Sequence, residues 1–153
     1  MSKLQGVAAA FAALSMLASV PASAGGFNSA EKLRRLDIML MVTGLRCRTT
    51  ADNFQADYAA FTTNHLAELN AASNALKADY SARFGSSGAN RAIDRMSTVM
   101  ANGYGGGHPW LSCSELKMVA RNLADARGSE PLEAAADQLL TESGSLQLAL
   151  ARR

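Results

Sequence analysis

Proline is scarce in this chain: three residues among 153, at Pro21, Pro109 and Pro131. β-branched residues are few, and no stretch alternates apolar and polar positions between turn residues. A β-sandwich or barrel is therefore excluded, because such folds need many short alternating strands. Cysteine occurs only at Cys47 and Cys113. Two distant thiols rule out a disulfide-dense scaffold, a CxxC redox pair and a CxxCH haem attachment site. Charge of one sign is not in large excess either, with 15 basic against 13 acidic side chains. That balance argues against a nucleic-acid partner, which requires a clustered positive face. No apolar run reaches the roughly 20 residues of a membrane-spanning helix.

What is present begins with the N-terminus. Lys3 precedes an apolar run from Val7 to Val20, 14 residues long, followed by Ala22-Ser23-Ala24. A positive start, a short apolar core and a small-x-small end are the three parts of a secretory signal peptide. Cleavage is expected after Ala24, with residues 1–24 removed. A single domain of 129 residues would remain, the 153 of the chain less those 24. That length encloses a real core. Without Lys3 it carries 14 basic and 13 acidic side chains. Export places the protein in an oxidising compartment, expected to be the periplasm. Two cysteines there imply one disulfide, Cys47–Cys113, closing a loop of about 67 residues worth roughly 4 kcal/mol in the chain-entropy model.

Alanine is abundant throughout, which favours helix. The spacing predicts an all-α, up-and-down bundle of about five helices, one of them long, tied by the single disulfide. The first helix is expected from Ser29 as N-cap to Gly44, burying Leu33, Leu36, Ile38, Leu40 and Met41. The second carries a seam of Phe54, Tyr58, Phe61, His65, Leu69, Ala72, Leu76, Tyr80 and Phe84, with steps of three and four. Such spacing is helical. It predicts one long helix over 53–84, about 48 Å if straight, with Thr62–Asn64 the place for any bend. "GSSG" at 85–88 ends it. A third helix, 89–103, buries Ile93, Met96, Val99 and Met100. A fourth starts at Ser112, spaced from Glu115 as a capping box, and stops at Gly128. Pro131 opens a fifth, ended by Ser143–Ser145, and 145–153 forms a frayed tail.

The segment "YGGGHPWLSC", 104–113, gathers three glycines, the only tryptophan, a histidine and a cysteine. A P-loop or Rossmann turn would need a preceding strand, and a P-loop a following Gly-Lys-Ser/Thr. A helix precedes these glycines and no lysine follows, so no nucleotide cofactor is implied. The geometric alternative is a spacer. The third helix covers about 23 Å of the return path, and eight extended residues add about 26 Å, delivering Cys113 to Cys47. His65 belongs to the apolar seam, as a hydrogen-bonded core residue. Met96, Met100 and His108 could together offer soft ligands to copper, although methionines four apart on a helix ordinarily pack a core. Arg46 and Arg48 flank Cys47, and the disulfide sets them near the N-termini of the second and fourth helices, where backbone N–H groups attract anions. With Tyr104, His108 and Trp110, they form the candidate surface for an anion or acidic partner.

Over its expected mature length the chain resembles small uncharacterised exported (periplasmic) proteins of Gram-negative bacteria. Its disulfide-tied helical layout is similar to that of periplasmic acid-stress chaperones in architecture alone, since their residues do not map onto it. Neither resemblance implies an activity. The sequence reading is thus a non-enzymatic periplasmic protein that binds another protein or an anionic envelope component. A copper carrier is its alternative, and an enzyme with a site composed of scattered residues comes third.

Overall fold

The computed structural model describes residues 28–150, and the side chains of 28–140. The expected cleavage site and residues 151–153 lie outside this range. Five helices occupy the described residues: α1 Ser29–Cys47, α2 Gln55–Asn64, α3 Leu66–Tyr104, α4 Cys113–Asp125 and α5 Glu130–Leu150. No strand is present among them.

α1 is the axis of the bundle and packs against all four other helices. Its cap is Asn28 rather than Ser29: the Asn28 side chain accepts from the Glu31 N–H at 2.8 Å. Ser29 instead donates its hydroxyl to Glu133 of α5. Leu36, Met39 and Leu40 are completely buried, each worth about 1.5–3 kcal/mol of transfer free energy. Thr43 satisfies its buried hydroxyl on the Met39 carbonyl one turn earlier. Gly44, expected to end the helix, lies inside it. A Cβ there would stand 3.4 Å from the Phe54 ring, an ordinary contact distance, so the ring packs directly on this position while the helix runs on to Cys47. Met41, expected inside, is 40% exposed.

α2 returns antiparallel to α1. Phe54 meets Gly44, and further along Tyr58 donates its hydroxyl to Asp37 at 2.8 Å. Burial first, then the adjacent Asp37 carboxylate, raises the Tyr58 pKa above that of an ordinary tyrosine. The expected single helix over 53–84 is broken at His65 (φ −111°, ψ 22°). Its phase survives because the helical ladder continues through the break. The His65 N–H donates to the Phe61 carbonyl, and the His65 carbonyl accepts from the Leu69 N–H. The break aims two polar side chains at the last turn of α4. Asn64 donates to the Ala124 carbonyl at 2.9 Å, and His65 Nε2 lies 2.7 Å from the Leu123 carbonyl. Helix C-termini leave such carbonyls short of partners; Asn64 supplies one to Ala124, and His65 adds to Leu123, whose carbonyl also accepts from the Ala126 N–H at 3.2 Å.

α3 joins two helical arms across a non-helical turn at Gly85 (φ 70°, ψ 168°), so the break expected at 85–88 is present as a sharp turn, with the second arm following it directly. Only glycine adopts that conformation readily. The two arms fold back on each other, so that Tyr80 and Phe84 line one depression with Ala92, Met96 and Val99. Both arms pack on α1, with Leu33 beside Ala72 and Ala75 and Arg35 beside Met100. Phe84 and Val99, expected in the core, are 53% and 52% exposed.

α4 opens on the expected capping box, both hydrogen bonds present between Ser112 and Glu115. It runs alongside α2, from the disulfide to the Asn64–His65 contacts, with Arg121 paired to Asp57 at 3.1 Å. It stops at Asp125, short of Gly128. α5 buries Leu132, Ala136, Leu139 and Leu140 and is pinned to α1 by Lys32–Asp137 at 2.7 Å. It continues through Ser143–Ser145 to Leu150 instead of ending there, so most of the expected tail is helical. The fold is the all-α, disulfide-tied bundle that the spacing predicts.

Candidate functional site

Cys47 closes α1 and Cys113 opens α4, and the two are bonded with their Cα atoms 5.8 Å apart. The disulfide therefore locks the C-terminus of one helix to the N-terminus of another. Arg46 occupies the last turn of α1, where a cation complements the negative end of the helix dipole, and Arg48 is its C-cap residue. Both are exposed. Among the described residues neither forms an ion pair, and Asp57 is taken by Arg121. The two arginines line a shallow depression of about 380 Å³ with Val42, Leu45, Thr49 and Gly105. Leu45 is 47% exposed, so the depression joins a cationic rim to an apolar edge.

The helix N-termini beside it are partly capped from within. The Ser112 N–H and hydroxyl both donate to Glu115 Oε2, at 2.8 and 2.7 Å. Those bonds, the backbone one first, hold the Glu115 pKa below the usual carboxylate value. At α2 the Gln55 N–H donates to the Asn53 side chain. Beside these partly capped termini, the exposed cationic side chains of this end are Arg46 and Arg48.

The aromatic members of the candidate set serve the loop itself. Tyr104 is buried and stacks on His108, ring centres 5.5 Å apart. His108 in turn meets Trp110 edge-on at 4.4 Å. With its proton on Nε2, the imidazole donates to the Leu139 carbonyl of α5 and accepts the Leu111 N–H at Nδ1, both at 3.3 Å. One neutral tautomer satisfies both contacts. Burial lowers the His108 pKa, against a smaller opposing effect of the Leu139 carbonyl. Gly107 (φ 112°) makes the turn that brings this ring inward. The glycine loop thus clamps α3, α4 and α5 together, and only Trp110 of the three aromatic groups is exposed.

Of Met96, Met100 and His108, the last two do not stand as open metal ligands, and Met96 is buried in the core. Both His108 nitrogens face backbone partners, and the Met100 sulfur lies 3.1 Å from an Arg35 guanidinium nitrogen. A metal ion would have to break those contacts. Among the described residues no group of three or more His, Cys, Asp or Glu side chains could hold a metal. His65 sits in the core, as its place in the seam predicts. Its role in closing α4 was not visible in sequence, because that contact joins positions 58 residues apart. No described helix is long and apolar enough to cross a membrane. The chain matches no protein-family model, no curated protein and no solved structure.

Proposed function

We propose that this is an exported, periplasmic, non-enzymatic binding protein that takes an anionic envelope component or an acidic protein surface at its disulfide end. The observation that carries the reading is the pair of exposed arginines, Arg46 and Arg48, without ion-pair partners among the described residues and flanking a cross-linked cysteine. A rigid backbone under two guanidinium groups reduces the ordering cost of binding, and guanidinium forks suit carboxylate and phosphate groups. The apolar edge at Val42 and Leu45 adds a contact for the rest of the ligand. The short apolar N-terminal run with its small-x-small end supports export, and a disulfide is compatible with an oxidising compartment.

The test is capture from periplasmic extract by the wild type and by R46A/R48A, at low and high ionic strength. The double variant should fold normally, changing stability by no more than about 0.5 kcal/mol, as surface substitutions do. It should lose the captured species, and the wild type should release that species with salt, because exposed charges are screened. Equal, salt-insensitive capture by both forms refutes the reading.

A further inference from the structure

A second exposed feature lies away from the disulfide, at the turn of α3. Residues 82–87 are all exposed, so the turn projects from the body of the bundle. Phe84 stands immediately before the Gly85 turn and is 53% exposed. Arg83 stacks over Tyr80 and Phe84, its guanidinium carbon 5.7 and 5.2 Å from the two ring centres. Arg91 and Arg95 follow on the second arm, one helical turn apart.

Two depressions adjoin at this turn. One, of about 330 Å³, is lined by Phe84, Gly88, Arg91, Ala92 and Arg95. The other, of about 310 Å³, shares Phe84, Ala92 and Arg95 and adds Arg35, Arg83 and Val99 to its walls. No carboxylate lines either one. Asp79 pairs with Arg83 at 3.3 Å, and Asp94 is exposed nearby. Arg91 and Arg95 have no ion pair among the described residues. Like charges one turn apart destabilise an isolated helix slightly, so their pairing is not explained by helix stability.

We propose that this turn is a docking finger for an anionic lipid bilayer. Phe84 enters the interface between headgroups and acyl chains, and Arg83, Arg91 and Arg95 lie on lipid phosphates. Exposed apolar surface rimmed by charge marks an interaction site, and here the rim is cationic. Peripheral attachment needs an apolar and an electrostatic contribution together, and the turn supplies both. The proposal is independent of the site at Arg46 and Arg48.

The test places a single indole at the tip, F84W, in a W110F background that keeps a ring against His108. The full chain is mixed at low salt with vesicles of phosphatidylcholine alone, or of equimolar phosphatidylcholine and phosphatidylglycerol. With bromine-labelled acyl chains, the F84W emission should be quenched on the anionic vesicles only. R91A/R95A in the same background should lower partitioning about 25-fold, at roughly fivefold per arginine. Because quenching is read at position 84, contact made through Arg46 and Arg48 alone would leave F84W unquenched, which separates this surface from the disulfide end. Sedimentation with vesicles without quenching at position 84 would mean that another segment binds, and overturns the proposal. Equal quenching on both vesicle types overturns it too. So does an emission change with inorganic phosphate alone, which marks a free-anion site, or with protein concentration alone, which marks self-association.

Discussion

Reduction of the Cys47–Cys113 disulfide should cost this protein several kilocalories of stability without dissolving its helices. The bridge spans a sequence separation of 66, for which the chain-entropy relation gives about 4 kcal/mol. On the native side the perturbation is small, since Cys47 is only 2% exposed and a buried thiol behaves as a small apolar group. α1 and α4 keep their own buried faces, Leu36, Met39 and Leu40 on one and Leu116, Ala120 and Leu123 on the other. Measured bridges often give less than the model, so the expected loss is about 2–4 kcal/mol. At a urea slope of about 1.5 kcal/mol per molar, the midpoint should fall by roughly 1–3 M. The assay is urea unfolding followed by far-ultraviolet circular dichroism, on oxidised protein, reduced protein and C47S. Helical signal before the transition should be nearly equal in all three. Coincident midpoints would show that the cross-link does not constrain the unfolded chain. A collapse of helical signal on reduction would show that the packed faces cannot hold the bundle, and either result refutes the argument.

Three further outcomes are expected. Protein recovered from the periplasm should begin at Gly25 and show no thiol labelling, read by intact mass; a retained N-terminus or two reactive thiols would contradict this. His108 binds its proton less readily folded than unfolded, because burial lowers its pKa; the unfolded chain then gains more protons as pH falls through about 6.5. Stability should therefore be complete above that range and decline below it, and H108Q should flatten the slope of unfolding free energy between neutral and mildly acidic pH. G107A should destabilise by about 1 kcal/mol or more, because its φ of 112° is strained for any side chain. G106A, where an added Cβ meets nothing, should stay within about 0.5 kcal/mol, as thermal melts of the pair would show.

The sequence by itself settled the class of fold and the cross-link. Helical spacing from Phe54 to Phe84, the Ser112–Glu115 capping box and the count of two cysteines are local or arithmetic features, and each has one simple solution. Only tertiary structure decided which apolar side chains are inside. Met41, Phe84 and Val99 keep helical phase with buried neighbours and are nonetheless 40%, 53% and 52% exposed, because phase within one helix does not say where another helix will pack. The stop expected at Gly44 failed for a related reason: the Phe54 ring packs onto that position from another element, and the buried face of α1 continues to Cys47. Within the candidate set, sequence grouped Tyr104, His108 and Trp110 with Arg46 and Arg48. Packing turned Tyr104 and His108 inward to hold α5 and left the arginines outside. The partner of His65 lies 58 positions away and that of His108 lies 31 away. Contacts over such separations leave no periodic trace in a sequence, since they exist only once several helices have assembled around α1.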